Sequence, residues 1–324
     1  TEVSLNLATL LVPALVAVWI LEALRQGRAI VVPSRVNRPL VLFLFVGLVS
    51  LFVGNVLWDP EVPRSGHFVL VQLVQWTIFA FSGCAFWLTA CLVHSATRLR
   101  RLTFICLAIA TSLAVWRVLP GGDDIGWRMV SFAIERAPFW LLLTALSAGQ
   151  LLFNQALAKG WRVCCFAALI STFVFALVLE RDAASNWVGV TTAVAVLVWL
   201  RWPRLRWVAL LAIAVLGASG LLFSAVYDFA GGDAEWIESG GSRLALIGRV
   251  INVTMRNPIT GLGPAAYRPY TRTEPLFYQG AYWVQPLISS HNNYVDLFSH
   301  VGLLGLGLFF WFAVELTRLG FGLR

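Results

Sequence analysis

Apolar runs of about twenty residues recur from one end of the chain to the other, and each is long enough to cross a bilayer as a helix. They fall at roughly 3–23, 39–57, 68–93, 102–119, 138–158, 161–179, 187–200, 207–226 and 292–314. Lipid offers no partner to a backbone N–H or C=O, so only helices and closed barrels span it. Barrel strands read as alternating ten-residue segments, and this chain has none. Its charged fraction of 12% is about half that of a soluble domain. The expectation is an all-α polytopic membrane protein with about nine transmembrane helices. A helical bundle fills 1–226, an extracytoplasmic loop with an amphipathic helix fills 227–291, and the last span and a cytoplasmic end fill 292–324. Val3 to Leu21 is too long for the apolar part of a signal peptide and has no cleavage pattern, so it reads as a span. The chain opens on Thr1, which leaves room for native residues before it.

Net charge is +8, and its placement says more than its size. Alternate connections are purely basic: Arg25, Arg28, Arg35 and Arg38; then Arg98, Arg100 and Arg101; then Lys159 and Arg162; then Arg201, Arg204 and Arg206. The others are mixed. Asp59, Glu61 and Arg64 occupy one; Asp123, Asp124, Arg128, Glu135 and Arg136 the next; Glu180, Arg181 and Asp182 the third. Basic loops stay in the cytoplasm. The N-terminus and the mixed loops, including 227–291, are therefore expected outside. Arginines used this way report topology, so no nucleic-acid partner is expected.

Cys84, Cys91, Cys106, Cys164 and Cys165 all lie in apolar runs without ligand spacing and read as small packing residues. Asp59 with Glu61, and Asp123 with Asp124, are carboxylate pairs that either bind a divalent ion with substrate phosphates or cap solvated turns. There is no HExxH, GxSxG, P-loop or CxxC, which leaves zinc hydrolase, serine esterase and NTPase readings without support. No cofactor and no resident metal are expected.

Within 227–291, Gly231-Gly232-Asp233 and Gly240-Gly241-Ser242 read as turns. Leu244, Ile247, Val250, Ile251 and Met255 then repeat at helical spacing, with Ser242 as N-cap and Asn257-Pro258 as the stop. Ile259 to Pro264 reads as a tight turn, and Tyr267, Arg268, Tyr270 and Arg272 as loop residues.

Polar chemistry gathers at the outer ends of the runs. His291 stands where the polar segment meets the last run, and its pKa class suits general-base work. The plainer reading is a boundary histidine beside a helix capped by Asn292 and Asn293. Arg243 opens the amphipathic helix, Arg181 ends the sixth run, and Arg117 lies near the outer end of the fourth. Singly, these read as a snorkelling arginine, a local ion pair with Glu180 or Asp182, and an arginine reaching the surface or a polar cavity. Together they offer planar forks suited to phosphate. Arg249 and Arg256 fit a role facing water or lipid phosphate. His67, His94 and His300 have blander readings, His300 as a hydrogen bond between helices.

Ser242-Arg243, Asn257-Pro258-x-x-Gly261-x-Gly263-Pro264, His291-Asn292-x-Tyr294 and Gly302-x-x-Gly305 together resemble the O-antigen ligase and polymerase superfamily. The specific likeness covers about the last third of the chain. It implies a C-type helical glycosyltransferase fold and a polyprenyl-diphosphate-linked glycan donor. The acceptor hydroxyl belongs to lipid A core, a growing polysaccharide or a protein. It further implies a bacterial inner-membrane enzyme, metal-independent, with its active site on the extracytoplasmic side. By the same resemblance, His291 is the catalytic base, and Arg243 and Arg181 hold the diphosphate. Arg268, Arg272, Tyr267, Asn292 and Arg117 are expected at the substrate. Two positions depart from the pattern: acids flank Arg181, and His300 stands where relatives carry Glu. The alternatives are a membrane solute transporter of the same superfamily and a non-catalytic membrane subunit. Few mid-span ionisable groups and no internal repeat count against the transporter.

Overall fold

Each of the nine apolar runs carries helix in the computed structural model. The structure describes residues 7–27, 31–93, 95–121, 136–181, 183–229, 232–235, 240–273, 276–278, 281–283, 290 and 292–322. In chain order the helices are α1 (Leu7–Gln26), α2 (Asn37–Val56), α3 (Phe68–Leu92), α4 (Ala96–Val118), α5 (Ala137–Phe153) and α6 (Lys159–Val174). A π-helical turn, Phe175–Leu179, extends α6. Then come α7 (Ala184–Arg201), α8 (Leu205–Ala218), α9 (Leu221–Phe229), a single turn at Gly232–Glu235, α10 (Gly241–Thr254), α11 (Tyr267–Thr273) and α12 (Asn293–Gly322). Among the described residues, five helices are both long and apolar enough to cross a membrane: α2, α3, α4, α6 with its extension, and α12.

Three local expectations are corrected. The run 207–226 is broken at Gly220, whose φ of 75° ends α8 in the left-handed region that glycine tolerates. Ser242 is not the N-cap. The helix starts one residue before it, Gly240 holds the cap position, and Ser242 is buried in the first turn. Tyr267 to Arg272 is helix rather than loop, and Leu276–Tyr278 pairs antiparallel with Ala281–Trp283 as a short hairpin in an otherwise helical chain.

The chain forms two compact units, Thr1–His94 with Ser239–Arg324, and Ser95–Glu238. In the second, α5 packs against α6 and α7, and α4 against α6. Its core is built on Trp140, fully buried and stacked on Phe175 with ring centroids 4.0 Å apart. Leu107, Leu143, Cys165, Ala168 and Val190 close around that pair.

In the first unit, α2 packs along α12, and the segment between α10 and α11 is wedged against both. That wedge explains the glycine motifs. At Gly302, α12 departs from helical geometry (φ 64°, ψ −169°). The freed groups bond to the wedge instead: Leu303 N–H donates to the Pro258 carbonyl at 2.9 Å, and Leu304 N–H to Ile259 at 3.1 Å. In return Leu262 N–H donates to Ser299 O at 2.9 Å. Backbones meet too closely for side chains. A Cβ on Gly261 would lie 2.5 Å from Gly302 N, one on Gly302 would strike the Ile259 carbonyl, and one on Gly54 the Leu262 carbonyl. Irregular backbone beside a spanning helix is stable only when such bonds satisfy it.

Candidate functional site

The wedge and the first turns of α12 hold the polar groups of the first unit together. Asn257 locks the wedge: its Nδ2 donates to the Gly261 carbonyl at 2.8 Å and to Thr260 Oγ1 at 2.9 Å. The break in α12 leaves His300 facing this turn. Its Nδ1 accepts from Ala265 N–H at 3.3 Å, and the ring also hydrogen-bonds the Gly263 backbone. Ser50 Oγ donates to the His300 carbonyl at 2.5 Å, tying α2 to the same point. The side-chain hydrogen bond expected between His300 and a neighbouring helix is made instead with the turn before α11.

One turn earlier stands Asp296, on the same helical face. Its Oδ1 accepts from Ser290 Oγ at 2.7 Å and from Ser290 N–H at 3.0 Å. Asn292 caps the helix, its Oδ1 accepting from Tyr294 N–H at 3.0 Å and Val295 N–H at 3.2 Å. Asp296 also acts electrostatically on His300, as does Arg268. Asn293, Asp296 and His300, with Gln75 and Ser82 of α3, are the polar lining of a cavity of about 440 Å3 between α2, α3 and α12, which Phe43, Phe79, Phe312 and further apolar groups complete.

Tyr267 is buried in a cluster with Trp58, Phe68 and Tyr270. Burial pushes its hydroxyl up to about 12, the Arg249 guanidinium pulls it down, and the Asp296 carboxylate adds to the rise. The phenol stays protonated at any physiological pH. Arg249 corrects an expectation. Expected to face water or lipid phosphate, it is half-buried and within electrostatic reach of Tyr267. The reason is angular, since Arg249 adjoins Leu246, Val250 and Val253, the face of α10 that packs inward. Arg256 is likewise engaged, bonding Asp59 at 2.8 Å and lying 5.0 Å from the Tyr270 ring centroid. Asp59 also accepts from Glu61 N–H at 3.0 Å, so this carboxylate caps a turn and neutralises an arginine. Among the described residues no group of three potential metal ligands occurs.

Other expected site residues are placed as follows. Arg243 is exposed at the start of α10, and Arg268 and Arg272 are exposed four residues apart on α11. In the second unit, Arg117 reaches Glu180 at 3.4 Å and lies 5.3 Å from the Phe175 ring centroid. Glu180 thus pairs with Arg117. Arg181 is exposed just beyond the π-helical turn, and its carbonyl accepts from Trp187 Nε1 at 2.9 Å. His291 lies outside the described residues, as do His94, Asp123, Asp124, Arg128, Glu135 and Asp182. The first unit thus brings Arg249 and Asp296 within electrostatic reach of Tyr267, and Asp296 and Arg268 within reach of His300, with Ser290 and Asn292 fastened beside Asp296. Sequence reasoning missed Asp296 and Ser290. The signal was present in Asp296 and His300, two ionisable residues four apart in an apolar run.

Residues 166–310 match the family described as O-antigen ligase. Comparison with curated proteins gives no match, and comparison with solved structures gives none.

Proposed function

We propose, from the premise that residues 166–310 are an O-antigen ligase domain in a multi-helix membrane protein, that the chain is a glycosyltransferase acting on a lipid-linked glycan. The family match carries this reading, because the matched stretch contains His291, Arg243 and Arg181 as well as the wedge and its glycines. The donor is a glycan on a polyprenyl diphosphate, and the acceptor is a hydroxyl on lipid A core, a growing polysaccharide or a protein. The active site faces outward from the cytoplasmic membrane.

The acceptor oxygen attacks the anomeric carbon as the bond from that carbon to the diphosphate oxygen breaks. The polyprenyl diphosphate leaves with the electron pair, and His291 takes the acceptor proton. Attack opposite the leaving group inverts the anomeric centre. Arg243 and Arg181 oppose the charge growing on the diphosphate, a role in which fixed guanidinium donors need no metal. Exposed Arg268 and Arg272 add positive potential on α11, and Asn292 orders the chain next to His291 through its cap. Tyr267, being buried, serves through packing rather than through contact with substrate.

The test is transfer of labelled glycan from its lipid carrier by purified protein in vesicles. His291→Ala and Arg243→Ala are expected to lower the rate by at least about 100-fold while folding and inserting normally. Wild-type rates in both variants would sink the assignment. The acceptor that gains label separates ligase, polymerase and protein glycosylase.

A further inference from the structure

The apolar stripe of α10 that the sequence displays is mostly not the face the protein buries. Leu246, Val250 and Val253 pack inward. Leu244, Ile251 and Met255, spaced seven and four residues apart, fall within about 40° of one another at roughly 100° per residue. They point the other way, 57%, 37% and 58% exposed. No charged residue interrupts them, because the one intervening member of that face is exposed Gly248. The helix is thus apolar on two opposite sides, with Arg243, Arg249 and Arg256 on its flanks.

We infer that this outer stripe is immersed in the bilayer, so that α10 lies along the outer interface with its back to the protein and its front to lipid. Continuity with a spanning helix supports lipid as the occupant. The stripe runs on through Ile259, 66% exposed, whose carbonyl accepts from Leu304 N–H at 3.1 Å. Leu303 and Leu304 are themselves exposed on α12, at 60% and 48%. Interfacial helices bury their apolar face about 5–10 Å into the headgroup and acyl boundary, and Arg243, one residue from Leu244, then stands at the level of lipid phosphates. The inference does not depend on the transfer reaction.

Nitroxide labels on Leu244→Cys, Ile251→Cys and Met255→Cys test it, in a variant whose five native cysteines are replaced. The protein is reconstituted in phosphatidylethanolamine–phosphatidylglycerol vesicles. Collision with oxygen is expected to exceed collision with a water-soluble nickel chelate severalfold at all three sites. At Asn252→Cys, on the flank, the ratio falls towards that of water. Nickel access at Ile251 equal to that at Asn252 overturns immersion. Low access to both reagents also overturns it, because it means protein covers the stripe. Should the cysteine-free background not fold, benzophenone-alanine at Ile251 in the native background replaces it. A lipid-mass adduct on irradiation then supports immersion, and a protein adduct or no adduct overturns it.

Discussion

A methyl group on Gly302 would meet the Ile259 carbonyl and would also have to sit at φ 64°, ψ −169°, a region that side chains avoid. Both penalties act at one backbone position, where no side chain can swing aside. Gly302→Ala should therefore destabilise the protein by about 3 kcal/mol or more, read as a lowered melting temperature in detergent. Gly307→Ala, with open space at its Cβ, is the control and should melt like the parent. Tyr267 gives a second prediction at this scale. Its pKa is raised on folding, from 10.0 to about 12, so the folded protein holds this proton more tightly than the unfolded chain does. The resulting stability is fully present below about pH 10 and is lost as pH rises from there towards 12. The alkaline drop in melting temperature should be shallower in Tyr267→Phe. An identical profile in the two proteins would contradict the burial that raises this group.

Asn257 shows how much one side chain does for an element. Two hydrogen bonds from its amide close the turn that carries Gly261, and the turn in turn receives the broken end of α12. Asn257→Ala should cost about 1–2 kcal/mol and speed proteolysis between α10 and α11. Unchanged cleavage would mean that the glycine contacts hold the turn without it. At this scale the sequence exposed the number and place of the apolar helices, because their period and length are local properties. It did not expose the break in α12. Gly302-Leu303-Leu304-Gly305 reads as ordinary helix until a second segment, forty residues earlier, arrives to take its hydrogen bonds. The helix Tyr267–Thr273 was hidden by its length and by Pro269 in its first turn, and it forms because Tyr267 and Tyr270 bury together. On α10, periodicity marked an apolar face truly but could not say whether protein or lipid covers it. Arg249 was misjudged for the same reason, since a helical wheel has no direction until the opposite face is known to pack.

The whole-molecule question is orientation, and the first unit ties it to the site. Arg38, at the start of α2, lies 5.9 Å from the Trp311 ring centroid, in the second half of α12. Ser50, near the other end of α2, bonds His300 in the first half. The second half of α12 therefore runs antiparallel to α2, and its start, with the wedge bonded to it, shares an end of the unit with the loop carrying Asp59 and Glu61. The ion pair of Asp59 with Arg256 agrees. Across α2, Arg25, Arg35 and Arg38 stand at one end and the two acids with Arg64 at the other. The α2 helix is 20 residues long, about 30 Å, enough to separate these ends by a bilayer. By the positive-inside rule the basic end is expected in the cytoplasm. A cysteine at Arg35 should then react with a membrane-impermeant maleimide only after permeabilisation, and one at Glu61 in intact cells, after outer-membrane opening where there is one. The reverse pattern would put the whole wedge on the cytoplasmic side. A donor flipped to the outer leaflet could not reach it there, and the glycosyltransferase reading would fail with the topology.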